Sequence, residues 1–211
     1  MEELEVKNKN VFKNIWFNPS QTIRYVIAYK STYKTNLLFI LGALAYSFYK
    51  AVDENAGDEA SLQHILFVKS LFGATLGVIS FYIFSLLLSF TGKFMGGKAE
   101  GADFRFVLSW SFIPAIVGLF LLLLSLFIFG NDIFSSEFNT NEIWYDWLYS
   151  AFLMVYFALN FWSLVIFIKG IKIIQNFSQL KSIANFLMPA IAFIAIIMLL
   201  FMFFNLFNAF S

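Results

Sequence analysis

Residues 91–129 read TGKFMGGKAEGADFRFVLSWSFIPAIVGLFLLLLSLFIF, a glycine-rich charged turn that runs straight into a long apolar stretch with one internal proline. Phe106 to Phe129 holds no charge over 24 residues. At 1.5 Å per residue that is about 36 Å of helix, enough for the roughly 30 Å hydrocarbon core of a bilayer. The turn before it holds Lys93, Lys98 and Arg105, and lysine and arginine gather in cytoplasmic loops. The stretch therefore predicts a membrane span entered from the cytoplasm, with the other apolar segments stacked around it.

Composition supports the same class. Of 211 residues, 60% are hydrophobic, 21% aromatic and only 13% charged, with 30 phenylalanines. Soluble domains average about 25% charged residues and cannot hide this much apolar surface in one core. The net charge of +1 leaves no basic face for nucleic acid. There is no cysteine and one histidine, which removes disulfides, thiolate chemistry and the usual zinc ligand sets. No metal or other cofactor is expected. The first 36 residues hold six cations (Lys7, Lys9, Lys13, Arg24, Lys30 and Lys34) but no apolar core followed by small residues. A cleaved signal peptide is thus not expected.

Taken outward from the deciding stretch, the chain offers five spans: Thr35 to about Lys50, Ile65 to Phe90, Phe106 to Phe129, Leu148 to Ile168, and Phe186 to about Phe207. The two loops following the first and third spans are acidic, with Asp53, Glu54, Asp58 and Glu59 in one and Asp132, Glu137, Glu142 and Asp146 in the other. The N-terminal segment and the other two loops hold six, three and three lysines or arginines; only Lys50 and Lys69, at span edges, fall elsewhere. This alternation predicts a cytoplasmic N-terminus and an outside C-terminus. Trp144, Tyr145, Trp147 and Tyr149 read as an aromatic belt at a membrane boundary. The division expected is a basic cytoplasmic segment, 1–36, and a transmembrane body, 37–211. The fold class is all-α, a five-helix integral membrane bundle with a cytoplasmic N-terminal interfacial helix.

Within 12–29, Asn18-Pro19-Ser20 punctuates an amphipathic stretch, and Ser20 is placed to cap a helix from Gln21. That helix reads either as an interfacial element with its cations on anionic headgroups or as a short entry helix packed on the bundle. Asp53, Glu54, Asp58, Glu59 and His64 lack the spacing of a calcium loop and read as a solvated loop. Gly73 and Gly77 form a GxxxG pair suited to close helix contact, within the bundle rather than between copies. Lys69 is the charge set furthest into a span, one turn from the interface, where it can snorkel outward. Asn160 and Ser163 either line a polar path or hydrogen-bond helix to helix. Pro114 and Pro189 each sit one to two turns inside a span and should kink it, freeing a carbonyl. No nucleophile–base pair, phosphate loop or carboxylate pair appears, so no catalytic site is expected.

Trp16-Phe17-Asn18-Pro19 with Thr22, then Gly92, Gly96 and Gly97 ahead of SWSFIP ending at Pro114, and finally Gly170, Phe177-Ser178, Lys181-Ser182 and Pro189, resemble the Yip domain family. That resemblance implies five spans and a cytoplasmic N-terminus. It also implies a role in engaging protein partners, which for eukaryotic members of the early secretory pathway are prenylated Rab GTPases. Eukaryotic members have a much longer N-terminal region than the 36 residues here, and the abundance of Phe, Ile, Asn and Lys suggests an AT-rich bacterial genome. Bacteria have no Rabs, so Rab binding is not carried over, and the bacterial cytoplasmic membrane is the location expected. The family-like residues concentrate on the cytoplasmic face. Trp16, Asn18, Pro19, Gly92, Lys93, Gly96, Gly97, Lys98, Arg105, Gly170 and Lys181 are therefore the expected partner-binding set, on loops, where binding function concentrates. The reading is a non-enzymatic scaffold in contact with membrane lipids and a membrane or cytoplasmic protein; the alternative is a small transporter or lipid-moving protein using the proline-bearing spans with Asn160 and Ser163.

Overall fold

The computed structural model describes residues 11–29, 32–137 and 142–210, and these are helical with short connections. Lys7, Lys9 and Lys30 lie outside the described residues. The helices are α1 (Val11–Phe17), α2 (Pro19–Tyr29), α3 (Thr32–Asp53), α4 (Leu62–Phe94), α5 (Gly101–Ser111), α6 (Ile113–Phe129), α7 (Ile143–Gln175) and α8 (Gln179–Phe210). Five segments are long and apolar enough to cross a membrane: Lys34–Asp53, Leu62–Phe94, Ile113–Phe134, Ile143–Gln175 and Gln179–Met202.

The stretch from 91 to 129 folds differently from one unbroken span. It is interrupted at Phe112, between α5 and α6, and only Ile113 onward counts as the third span. Pro114 lacks an N–H and sits in the first turn of α6, where a helix tolerates it, so it opens a helix instead of kinking one. Before the break, the Ser109 and Ser111 hydroxyls donate back to the Arg105 and Leu108 carbonyls, each at 2.7 Å, a pattern that loosens helices. The Ala115 N–H, just past the proline, donates to Ser163 Oγ on α7 at 3.0 Å. The Phe112 ring fills the space over Gly42, where a Cβ would overlap it, and lies 4.9 Å from the Phe81 ring.

The other spans overrun their predicted ends. α7 and the Leu62–Phe94 span each reach 33 residues, about 50 Å at helical rise. The N-terminal segment also folds back on the bundle. Asn18 separates α1 from α2, and Pro19 rather than Ser20 opens α2, with Thr22 Oγ1 donating to the Asn18 carbonyl at 2.9 Å. Ile15, Ile23 and Val26 are buried with Phe104 and Val107 of α5 and Ile166, Phe167 and Ile171 of α7. Each such aliphatic side chain contributes about 1.5–3 kcal/mol on burial, so the segment shares the core of the body as an entry hairpin. Phe12 meanwhile is half-exposed beside Lys34, Leu37 and Phe120.

The acidic loops meet at the opposite end. Short 3-10 turns at Ala56–Asp58 and Gly130–Phe134 pack on one another, with Asn131 Nδ2 donating to the Gly57 carbonyl at 3.2 Å. Ile133, Phe134 and Asp132 are buried there, and Tyr145 donates from its hydroxyl to Asp132 Oδ2 at 3.0 Å. Asp53, Glu54, Asp58 and Glu59 remain exposed, yet Asp58 is tied: its Oδ1 accepts the Ser136 N–H at 3.0 Å. The Ser136 hydroxyl, and then that N–H, hold the Asp58 carboxyl below its ordinary value, against a small opposing effect of burial. Because the folded value is depressed, this contact stabilises above the unfolded carboxylate value of about 3.9 and is lost as pH falls through the lower folded midpoint. A carboxylate titration followed by NMR should therefore give Asp58 a midpoint under about 3.9, and Ser136→Ala should raise it towards that value. An unchanged midpoint in the variant would remove the Ser136 hydroxyl as the cause.

Candidate functional site at the basic end

Two helix ends build this site in the same way. At the end of α4, Gly96 takes the left-handed conformation (φ +79°), the Gly96 N–H donates to the Lys93 carbonyl at 2.9 Å, and the Gly97 N–H reaches the Gly92 carbonyl at 2.8 Å. At the end of α7, Asn176 is left-handed (φ +55°), and the Phe177 N–H reaches the Lys172 carbonyl at 3.1 Å. Both are Schellman closures, which satisfy the last carbonyls and reverse the chain sharply. Glycine costs nothing at Gly96, whereas a side chain there is strained.

The two reversals lock together through a pair of buried amides. Gln175, at the last turn of α7, points into the glycine turn, and its Oε1 accepts the Ala99 N–H at 2.9 Å. A Cβ on either Gly92 or Gly97 would overlap the Gln175 amide. Those two glycines thus make room for a side chain from another helix. Asn185, fully buried on α8, donates from Nδ2 to the Leu88 carbonyl at 3.1 Å and to Thr91 Oγ1 at 2.9 Å. Ser89 Oγ donates to the Ala99 carbonyl at 3.0 Å, so the extended link 98–100 is held from both sides. The Glu100 N–H then donates to Asp103 Oδ2 at 2.9 Å and starts α5 with a capping-box contact.

The structure sorts the residues expected to bind a partner into two groups. Pro19, Gly92 and Gly170 are buried, and Gly97 is largely enclosed against Gln175. Gly170 lets α7 approach α5 and α2, since a Cβ there would overlap Val107 Cγ1 and lie 3.4 Å from Ile23 Cδ1. These positions shape the platform from inside. Asn18, Lys93, Gly96, Lys98 and Lys181 are exposed, and Trp16 and Arg105 are half-buried. Arg105 lies over the Tyr82 ring at 4.5 Å and Lys181 over the Phe177 ring at 4.4 Å, cation–π contacts that hold the charges at the surface.

The residues assigned to the spans are spread along the bundle. Gly73 and Gly77 face α3, against Ser47 and Ala43. Lys69 stands half-exposed near the acidic end, in a π-helical turn at Ile65–Lys69. Asn160 and Ser163 line a groove of about 500 Å³ between α3, α4 and α7, with Phe81, Phe112 and Phe186. The groove wall is overwhelmingly aromatic and aliphatic, Asn160 Nδ2 is bonded to the Tyr156 carbonyl at 2.9 Å, and Ser163 receives Ala115. Pro189 is buried on α8, and the i−4 carbonyl it cannot serve is that of Asn185. Beyond it, every residue from 190 to 202 is exposed.

Sequence reasoning missed Gln175 and Asn185. The available signal was weak: each is an uncharged amide in helical register with apolar or small neighbours, Gln175 four residues after Ile171 and Asn185 three after Ser182. Among the described residues no cluster of three or more His, Asp or Glu side chains is placed to hold a metal. A family model described as the Yip1 domain matches residues 13–202, nearly the whole chain. No curated protein and no solved structure matches it.

Proposed function

The chain belongs to the Yip1 domain family, and from that premise we propose that it is a non-enzymatic membrane scaffold which binds a protein partner through its basic end. In this reading the basic end faces the cytoplasm of a bacterial cell, residues 12–34, 91–105 and 169–185 make one platform, and the transmembrane body anchors it. One observation carries the reading. The platform is held from within by buried amides and glycines, yet presents large apolar side chains: Phe17, Phe94 and Leu180 are 77%, 79% and 78% exposed. Lys13, Lys93, Lys98 and Lys181 stand on the same end. Rigid exposed aromatic and aliphatic anchors among charges are the composition of a docking surface.

The test is affinity purification of the tagged chain from native membranes in a mild detergent, alongside a Lys93→Glu/Lys98→Glu variant. A stoichiometric protein partner is expected with the wild type, reduced about ten-fold or more by the double charge reversal, since like-charge juxtaposition costs several kcal/mol. Wild-type protein recovered alone across several detergents would overturn the scaffold reading. The groove between α3, α4 and α7 supports a second reading, movement of lipid between leaflets. Asn160 and Ser163 already have partners inside the bundle, so that reading depends on the apolar wall alone. Scrambling of labelled lipid by the purified protein in vesicles would move the assignment there.

A further inference from the structure

We infer that the groove between α3 and α4 at the acidic end binds the phosphate of an anionic phospholipid through Lys69. The groove holds about 400 Å³ and is lined by Tyr46, Lys50 and Glu54 from α3 and by Lys69, Phe72 and Leu76 from α4. Its position in the membrane is given by the neighbours of Lys69. Phe67, Val68, Leu71 and Phe72 are all exposed and apolar, so the ammonium emerges from a lipid-facing surface. A charged group at that depth needs a counter-ion. Lys50 already has one: its Nζ lies 3.2 Å from Glu54 Oε1. Among the described residues no carboxylate stands within ion-pair distance of Lys69. The groove therefore has one cation in excess, beside acyl chains, and the anion found at the edge of a lipid bilayer is the lipid phosphate.

The backbone fixes this arrangement. The π turn at Ile65–Lys69 disturbs the regular ladder, and the Ser47 hydroxyl on α3 donates to the Ser70 carbonyl at 3.0 Å. Gly73 has no Cβ to block Ser47, so α3 and α4 close together behind Lys69 and leave it at the groove mouth. Below it, Phe72 and Leu76 offer an apolar wall on which the lipid's glycerol and first methylenes can lie. That wall favours a phospholipid over free phosphate. Nothing here depends on the scaffold role or on which end faces the cytoplasm.

Delipidated full-length protein, titrated in detergent with phosphatidylglycerol or phosphatidylcholine and read by native mass spectrometry, tests the site. One phosphatidylglycerol should bind about five-fold more tightly than phosphatidylcholine, the preference expected of one cation near a lipid phosphate. Lys69→Gln should abolish that preference and Lys69→Arg should keep it, while Lys172→Gln, on the basic end, should leave it unchanged. Glu54→Gln, at an exposed carboxylate, should strengthen phosphatidylglycerol binding by freeing Lys50, and this variant tests the site even where Lys69→Gln folds poorly. An undiminished preference in Lys69→Gln, an equal loss in Lys172→Gln, or a Glu54→Gln variant that binds no more tightly would each overturn the proposal. So would complete displacement of the lipid by millimolar inorganic phosphate.

Discussion

Adding a single methyl at Gly170 should destabilise the bundle by about 1–3 kcal/mol, the usual cost of overpacking a filled core. The new Cβ would overlap Val107 Cγ1, with Ile23 Cδ1 at 3.4 Å on its other side. Val107 is fully buried, and its β-branched side chain has little rotamer freedom to move away. Three elements meet at this point, so the strain falls on the seam that joins the α1–α2 hairpin to α5 and α7. Thermal unfolding of the Gly170→Ala protein in detergent should show the loss. The second measurement isolates the cause: Val107→Ala removes the overlapping methyl, and the double variant should lose less than the two single losses added together. Additive losses would mean that the Gly170 contact is not what the methyl disturbs.

Asn185→Val should release α8 from the body while leaving the rest intact. The change removes both donors' contacts to the end of α4, those to the Leu88 carbonyl and to Thr91 Oγ1. Two net hydrogen bonds are together worth about 2 kcal/mol. Alternative attachment further along α8 is sparse, because residues 190–202 are exposed, and Pro189 already withholds an N–H from the Asn185 carbonyl. Hydrogen exchange should rise roughly thirty-fold for amides at 182–188, the local opening equivalent of 2 kcal/mol, with amides of α6 unchanged. A uniform rise across the protein would show global destabilisation instead, and no rise would mean apolar packing around Phe186 holds the helix unaided.

The membrane class and the five spans were legible because they depend on sums over twenty or more residues, where local detail averages out. The two ends of the bundle were legible for the same reason, since lysines and acids partition loop by loop. Span boundaries were not. The apolar run from Phe106 to Phe129 looks continuous because hydropathy does not register where backbone hydrogen bonds stop; the interruption at Phe112 depends on Pro114, on two serines bonding backwards, and on Ser163 waiting 48 residues later. Gly92 and Gly97 were singled out by resemblance, but their reason lay in Gln175, a residue from another helix end that nothing local connects to them. The N-terminal hairpin was legible as an amphipathic element, interfacial or packed on the bundle, and the sequence did not decide between the two because its partners on α5 and α7 are more than 75 residues away along the chain.

The interruption at Phe112 has a consequence for the bilayer as well as for the protein. It sets the start of a third span of 22 residues, Ile113–Phe134, in which α6 supplies about 26 Å and the following 3-10 turn carries the chain past a typical hydrocarbon thickness of about 30 Å. Longer spans such as α7 meet a thickness mismatch by tilting. The third span is fixed at both ends instead: its start is pinned by Ser163 and it finishes in the buried 3-10 turn at Gly130–Phe134. Lipids beside its exposed Phe120, Leu124, Phe127 and Ile128 therefore meet a span matched to the bilayer next to longer ones. The long helices, rather than this one, should take up any change in bilayer thickness, by tilting around a third span that keeps its length.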